Sequence, residues 1–173
     1  MLRFLPALLV AFPLTAYAAG SDSSDSPPPP KCENGEVWDE KTERCAGAKE
    51  SHLNDDTLYQ ATREYAYAGQ YEAAEITLAA MSDQTDDRVL TYKGFIARKT
   101  GQMELAMDYY HRAITQNPNN LLARSYMGQG FVDAGQHGAA LDQLVEIRLR
   151  GGKDLWVETA LAEALLTGET TAY

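Results

Sequence analysis

Gly69-Gln70-Tyr71-Glu72-Ala73-Ala74, Gly101-Gln102-Met103-Glu104-Leu105-Ala106 and Gly135-Gln136-His137-Gly138-Ala139-Ala140 repeat one pattern, Gly-Gln-x-x-x-Ala, at intervals of 32 and 34 residues. A fixed period of this length marks one supersecondary unit copied along the chain. The copies stack because no single one can bury its own apolar face. Such a stack is a surface for binding more readily than a site for chemistry. Around each glycine, apolar residues recur at three- and four-residue steps from about Asn54 onward, and Pro118 is the only proline there. This predicts an all-α region in which each glycine ends one helix as a left-handed cap. Asp55-Asp56-Thr57 supplies capping residues for the first helix, and Asn117-Pro118-Asn119-Asn120 breaks the chain between the second and third copies.

Toward the N-terminus the composition changes twice. Arg3, an apolar run from Phe4 to Leu14 and the small-x-small triplet Ala16-Tyr17-Ala18 read as a targeting segment over residues 1–18, cleaved after Ala18. The run is short and interrupted by Pro6 and Pro13, so an uncleaved membrane anchor is the weaker alternative. No cysteine follows it directly, unlike a lipoprotein precursor. The expectation is a periplasmic or secreted protein with no integral membrane segment after cleavage. Residues 19–31 carry Ser, Asp and four consecutive prolines, which is the composition of a solvated, extended linker.

The only two cysteines, Cys32 and Cys45, bound the stretch CENGEVWDEKTERC. In an oxidising compartment an even pair reads as a disulfide. Closing a loop of this size is worth about 3 kcal/mol in the chain-entropy treatment. Asn34-Gly35 and the stretch Asp39 to Thr42 carry turn chemistry on either side of a β-prone Val37-Trp38 pair. The spacing resembles one loop of small extracellular chitin-binding modules, though those modules carry more cysteines. The resemblance implies a glycan stacked on Trp38, and the plainer alternative is a ring covering the disulfide.

The helical region resembles the tetratricopeptide repeat family, whose unit is a helix pair with large, small and aromatic residues at set positions. Aligned on the glycines, the first unit (about 55–86) offers Leu58, Ala61, Tyr65, Gly69, Tyr71, Ala74 and Leu78. The second (about 87–120) offers Leu90, Gly94, Ala97, Gly101, Ala106, Tyr110 and Ala113. The third (about 121–152) offers Met127, Gly128, Phe131, Gly135, Ala140 and Leu144. Lys93 and Arg124 stand where the family uses large apolar residues, and the loop Ser82 to Asp87 lacks the usual proline. Gly94 and Gly128 fall inside helices, where glycine costs about 1 kcal/mol against alanine, so they predict close helix–helix approach. Residues 154–167 form a further helix. Leu155, Trp156, Leu161, Ala162, Leu165 and Leu166 make its apolar stripe, with Glu158 and Glu163 facing out. The resemblance implies that this helix caps the last repeat; the alternative for Trp156 is to anchor a dimer.

The chemistry-bearing residues are sparse. His52, His111 and His137 have no metal-ligand or triad spacing, and Asp83, Asp86 and Asp87 lack the alternation and central glycine of a calcium loop. Nucleophile-elbow, phosphate-loop and HExxH patterns do not occur in the sequence. The reading is therefore not an enzyme, with no cofactor and no metal. The formal net charge of −10 argues against nucleic acid and against an anionic membrane surface, since both need a basic footprint.

In the family the first helix of each pair lines a groove. The resemblance carried onto this chain places Asp56, Tyr59, Arg63 and Tyr67 there from the first unit. Arg88, Thr91, Tyr92, Phe95, Arg98 and Lys99 follow from the second, then Leu122, Ser125, Tyr126 and Gln129 from the third. Arg and Tyr dominate interface energetics, and these cations are interleaved with aromatics in an otherwise acidic chain. The expectation is a bacterial, exported scaffold or adaptor that docks a peptide or protein segment bearing acidic or carboxylate groups. The competing reading pairs the same cations with Asp and Glu of neighbouring helices. The family's carboxylate clamp of Lys, Asn, Asn, Lys and Arg is replaced here by Tyr59, Arg63, Tyr92, Leu122 and Tyr126, so its specific ligand does not carry over.

Overall fold

The computed structural model describes residues 31–50 and 52–170. The targeting segment and all of the linker but Lys31 lie outside the described residues. Among the described residues the chain is mostly helical, with one two-stranded sheet. A hairpin of β1 (Glu36–Asp39) and β2 (Arg44–Gly47) leads into six helices: α1 (Asp55–Tyr67), α2 (Tyr71–Ala80), α3 (Asp87–Lys99), α4 (Met103–Gln116), α5 (Leu121–Asp133) and α6 (His137–Ile147). A π-turn (Arg148–Gly152) then leads to α7 (Trp156–Thr167).

The Gly-Gln-x-x-x-Ala pattern has a direct physical reading. Each glycine is left-handed, with φ of +74°, +82° and +72° at Gly69, Gly101 and Gly135. Only a residue without Cβ reverses the chain there cheaply. Each following glutamine donates its N–H back into the helix just ended, Gln70 to Tyr65 (2.9 Å), Gln102 to Ala97 (2.8 Å) and Gln136 to Phe131 (2.7 Å). Its carbonyl then accepts from the repeated alanine, opening the next helix with N–O distances of 3.0, 3.0 and 3.1 Å. Ala74, Ala106 and Ala140 have no exposed surface, so the two helices of a pair approach where the side chain is smallest.

At the opposite ends the caps are side chains. Asn54 accepts from the Thr57 N–H, Asp86 from Arg88 and Asn120 from Ala123. The first cap is therefore Asn54 and not the Asp55-Asp56-Thr57 stretch, because Asn54 has the extended backbone that aims its carboxamide at the free N–H of Thr57.

Three pairs form, α1 with α2, α3 with α4 and α5 with α6, and the odd-numbered helices also touch one another in order. One core runs through Leu58, Leu78, Tyr92, Phe95, Tyr110 and Met127, and a second lies at the C-terminal end around Leu144, Ile147 and Leu161. Gly94 lets the Tyr110 ring approach so closely that an added Cβ would lie 2.5 Å from it. Gly128 does the same for Leu161 of α7. Arg124, anomalous as a core residue, ties loop to helix: its guanidinium donates twice to the Pro118 carbonyl and once to Gln143.

The hairpin packs directly on the helices: Val37 joins the main core, Tyr65 of α1 donates to the Glu36 carbonyl at 2.6 Å, and Gly35 lies against Ile76 of α2. The disulfide joins Cys32 and Cys45, and Trp38 stands opposite Cys45 across the ladder. On α7 the buried side chains are Glu158, Ala160, Leu161 and Ala164, while Leu155, Trp156 and Leu166 are exposed. The apolar stripe therefore sits differently from the sequence expectation. The π-turn, with Gly151 at φ +84°, resets the angle at which α7 enters, and Arg148 takes Glu158 inward with a 2.5 Å ion pair.

Candidate functional site

Helix α1 presents Tyr59, Arg63 and Tyr67 at four-residue steps, the spacing that stacks side chains on one face. That face meets Tyr92 of α3. The Tyr59 and Tyr92 rings meet edge to face at 5.6 Å, and the Tyr67 and Tyr92 hydroxyls share a hydrogen bond of 2.5 Å. Burial, then the Tyr67 bond, pushes the Tyr92 phenol far above its usual range, so it stays protonated.

From Tyr92 the aromatic contacts continue to Phe95, then to Tyr126 of α5 at 4.9 Å, and on to Trp156 of α7 at 6.5 Å. The result is a ladder of rings crossing four helices. Its interior rungs are core: Tyr92, Phe95 and Tyr126 are each no more than 1 % exposed, and Gln129 is fully buried. These four, expected to line a groove, instead pack beneath it, because the rings of neighbouring odd helices close over one another. Ser125 and Thr91 are buried as well. The accessible part of the face is left to half-buried Tyr59, Arg63, Tyr67, Arg88, Lys99 and Leu122, with exposed Trp156 at one end. Sequence reading assigned Trp156 to an end cap; the turned entry of α7 brings it onto the ladder.

The four cations divide by partner. Arg88 is held by Asp56 at 2.8 Å and Asp86 at 3.1 Å, and lies over the Tyr59 ring. Arg98 has a fully buried side chain; it donates to Asp133 at 2.8 Å and reaches Gln129 at 3.5 Å. Both belong to the internal-pair reading. Asp133 also accepts from Thr170 at 2.7 Å, which draws the end of the described chain toward this face. Lys99 lies 5.8 Å from the Phe95 centroid, and burial, then Arg98, lowers the affinity of its amine for a proton.

Arg63 differs from both arginines. Its guanidinium lies 5.9 Å from the Tyr59 centroid and 5.6 Å from that of Tyr67, and donates to Gln60 at 2.9 Å. Among the described residues no carboxylate forms an ion pair with it. The hydrogen bond to Tyr67, opposed by burial, raises its pKa, so the charge is permanent. A planar cation between two tyrosine faces, its fork unclaimed by a carboxylate, is suited to bidentate recognition of a planar anion.

Trp38, the residue of the glycan reading, is half-buried and borders a cleft of about 180 Å³ with Asp39, Lys41 and His52. His52 Nε2 approaches Asp39 Oδ2 at 3.0 Å. His111 and His137 are exposed on α4 and α6. Among the described residues no three His, Cys, Asp or Glu side chains gather as a metal site, and no helix is long and apolar enough to cross a membrane. Compared with known protein families, with curated proteins and with solved structures, the chain has no match.

Proposed function

We propose that the three helix pairs are tetratricopeptide-type repeats and that the protein is an exported scaffold or adaptor of the bacterial envelope. Its α1–α3 face takes an acidic or carboxylate-bearing segment of a partner protein. The observation that carries this reading is Arg63, a guanidinium stacked on two tyrosines with no carboxylate pairing it among the described residues. Arg88 and Arg98 are each paired with carboxylates of the chain itself and are not offered to a partner. Ring contact area comes from Tyr59 and Tyr67, the residue type most enriched at binding hot spots together with Trp and Arg. Export rests on the targeting segment at residues 1–18, and the cysteine pair agrees with an oxidising compartment. A cell-wall glycan on Trp38 has less support, because that ring is half-buried opposite Cys45.

The test is crosslinking in the exporting host followed by identification of what is attached. Arg63→Glu should lose the crosslinked partner, whereas Arg88→Ala should keep it. Recovery of the same partner in undiminished yield from folded Arg63→Glu protein refutes the assignment of Arg63.

A further inference from the structure

On the opposite edge of α3, away from Tyr92, lies a cleft of about 300 Å³ between α2 and α4. Its apolar side is Leu78 and Ala79 from α2, Ile96 and Ala97 from α3, Leu105 and the Tyr109 ring from α4, and polar side chains make up the rest of the lining. Into it projects Lys93, the residue that replaces a large apolar one in the repeat pattern. The equivalent positions, by spacing from Gly69 and Gly135, are Ala61 in α1 and Met127 in α5, and Met127 is buried as core.

The lysine is held in place from below. Gln84 donates its amide to the carbonyls of Leu78 (3.0 Å) and Met81 (2.8 Å), which leaves its oxygen to accept from Lys93 Nζ at 2.9 Å. The ammonium also lies 6.0 Å from the Tyr109 centroid, whose ring Arg112 approaches to 5.6 Å. One of three ammonium hydrogens is thus satisfied by Gln84. Among the described residues no carboxylate forms an ion pair with Lys93. Glu75 and Gln102 complete the lining, Glu75 without pairing to Lys93. Burial first, and Arg112 second, make the charged amine harder to keep. A half-buried cation without an anion costs free energy, and that cost is relieved by an anion that enters with it.

We infer that this cleft is a binding site for a small monocarboxylate with a compact apolar or aromatic body, its carboxylate on Lys93 Nζ and its body between Leu78, Ile96 and Tyr109. The volume is at the small end of ligand sites, and an apolar surface with a few placed polar groups is their usual make-up. The site is separate from the α1–α3 face, so either reading can fail without the other.

The test is an amide NMR titration of the exported chain with benzoate and with its neutral isostere benzamide. Benzoate should shift the amides around Leu78, Lys93 and Tyr109, and benzamide should bind about tenfold more weakly or worse, the factor for losing one hydrogen bond to a charged group. Lys93→Met should abolish the difference between the two probes while leaving amides around Tyr59 and Arg63 in place. The inference is overturned if benzoate produces no shifts at the cleft, or if benzoate and benzamide bind the wild type equally. It is also overturned if Lys93→Met retains the preference. The two-probe comparison on the wild type needs no variant, so a misfolded Lys93→Met protein does not rescue the idea.

Discussion

Replacing Gly94 by alanine tests the packing of α3 on α4 with a sign that helix propensity alone would get wrong. In an unconstrained helix interior the change stabilises by about 0.5–1 kcal/mol. Here the new Cβ would lie 2.5 Å from Cε1 and 2.7 Å from Cδ1 of Tyr110. Comfortable carbon contacts are about 3.5–4.0 Å, so the ring must retreat by roughly 1 Å. The ring is fully buried and neighbours Tyr126 at 6.5 Å, so its retreat disturbs a packed core. Overpacking of this kind costs about 1–3 kcal/mol. Subtracting the propensity gain leaves a net loss centred on about 1 kcal/mol, within a span of about 0–2.5 kcal/mol. At roughly 3 °C per kcal/mol for a chain of this size, the unfolding midpoint should fall by about 3 °C. The internal control is Gly138→Ala in α6, where an added Cβ meets nothing within 4 Å. That change should raise stability by about 0.5 kcal/mol. Thermal and urea unfolding followed by far-ultraviolet circular dichroism measure both changes. A Gly94→Ala protein as stable as wild type, or two variants that shift the same way, would refute the helix contact described here.

Two further outcomes concern the hairpin. Cys32 and Cys45 lie 13 positions apart, so the double Ser variant should destabilise the hairpin by about 3 kcal/mol. Limited proteolysis should then cut near Lys41, and the helical melt should move to lower temperature with it, because Val37 belongs to the main core. The Asp39 carboxyl is held below its ordinary value, chiefly by the hydrogen bond from the Thr42 hydroxyl, with the Lys41 N–H and His52 adding to it against burial. A depressed folded-state pKa contributes stability above the unfolded pKa of about 3.9, and that contribution disappears as pH falls through the lower folded value. Trp38 fluorescence in a Trp156→Phe background should report hairpin loosening only as pH drops below about 4, and Asp39→Asn should remove that step.

How far the sequence could be read depended on the range of each interaction. Helix ends are local events. A glycine that must adopt positive φ, and an amide that reaches back five residues, leave the same mark at Gly69, Gly101 and Gly135. The side-chain caps are local too, and the one-residue shift to Asn54 is a matter of which backbone is extended. The close approaches at Gly94 and Gly128 were legible because a mid-helix glycine demands compensation. Its partner was less so: Gly128 meets Leu161 of the last helix and not a residue of its own pair.

The candidate site was legible only as a set of residue types. Tyr, Phe and Arg recur on the first helices, but their periodicity cannot say which rings close over which. Burial removed Tyr92, Phe95, Tyr126 and Gln129 from the exposed face, and Trp156 of α7 meets Tyr126 at its end. The sequence by itself determined the period, the helix stops, the cysteine pair and the acidic excess, since each rests on neighbours along the chain. Tertiary structure alone decided that Asp56 holds Arg88, that Asp133 holds Arg98, and that Arg63 is left between two tyrosines without a described carboxylate. Asp56 and Asp133 come from other helices, and Coulomb attraction acts through space whatever the separation in sequence.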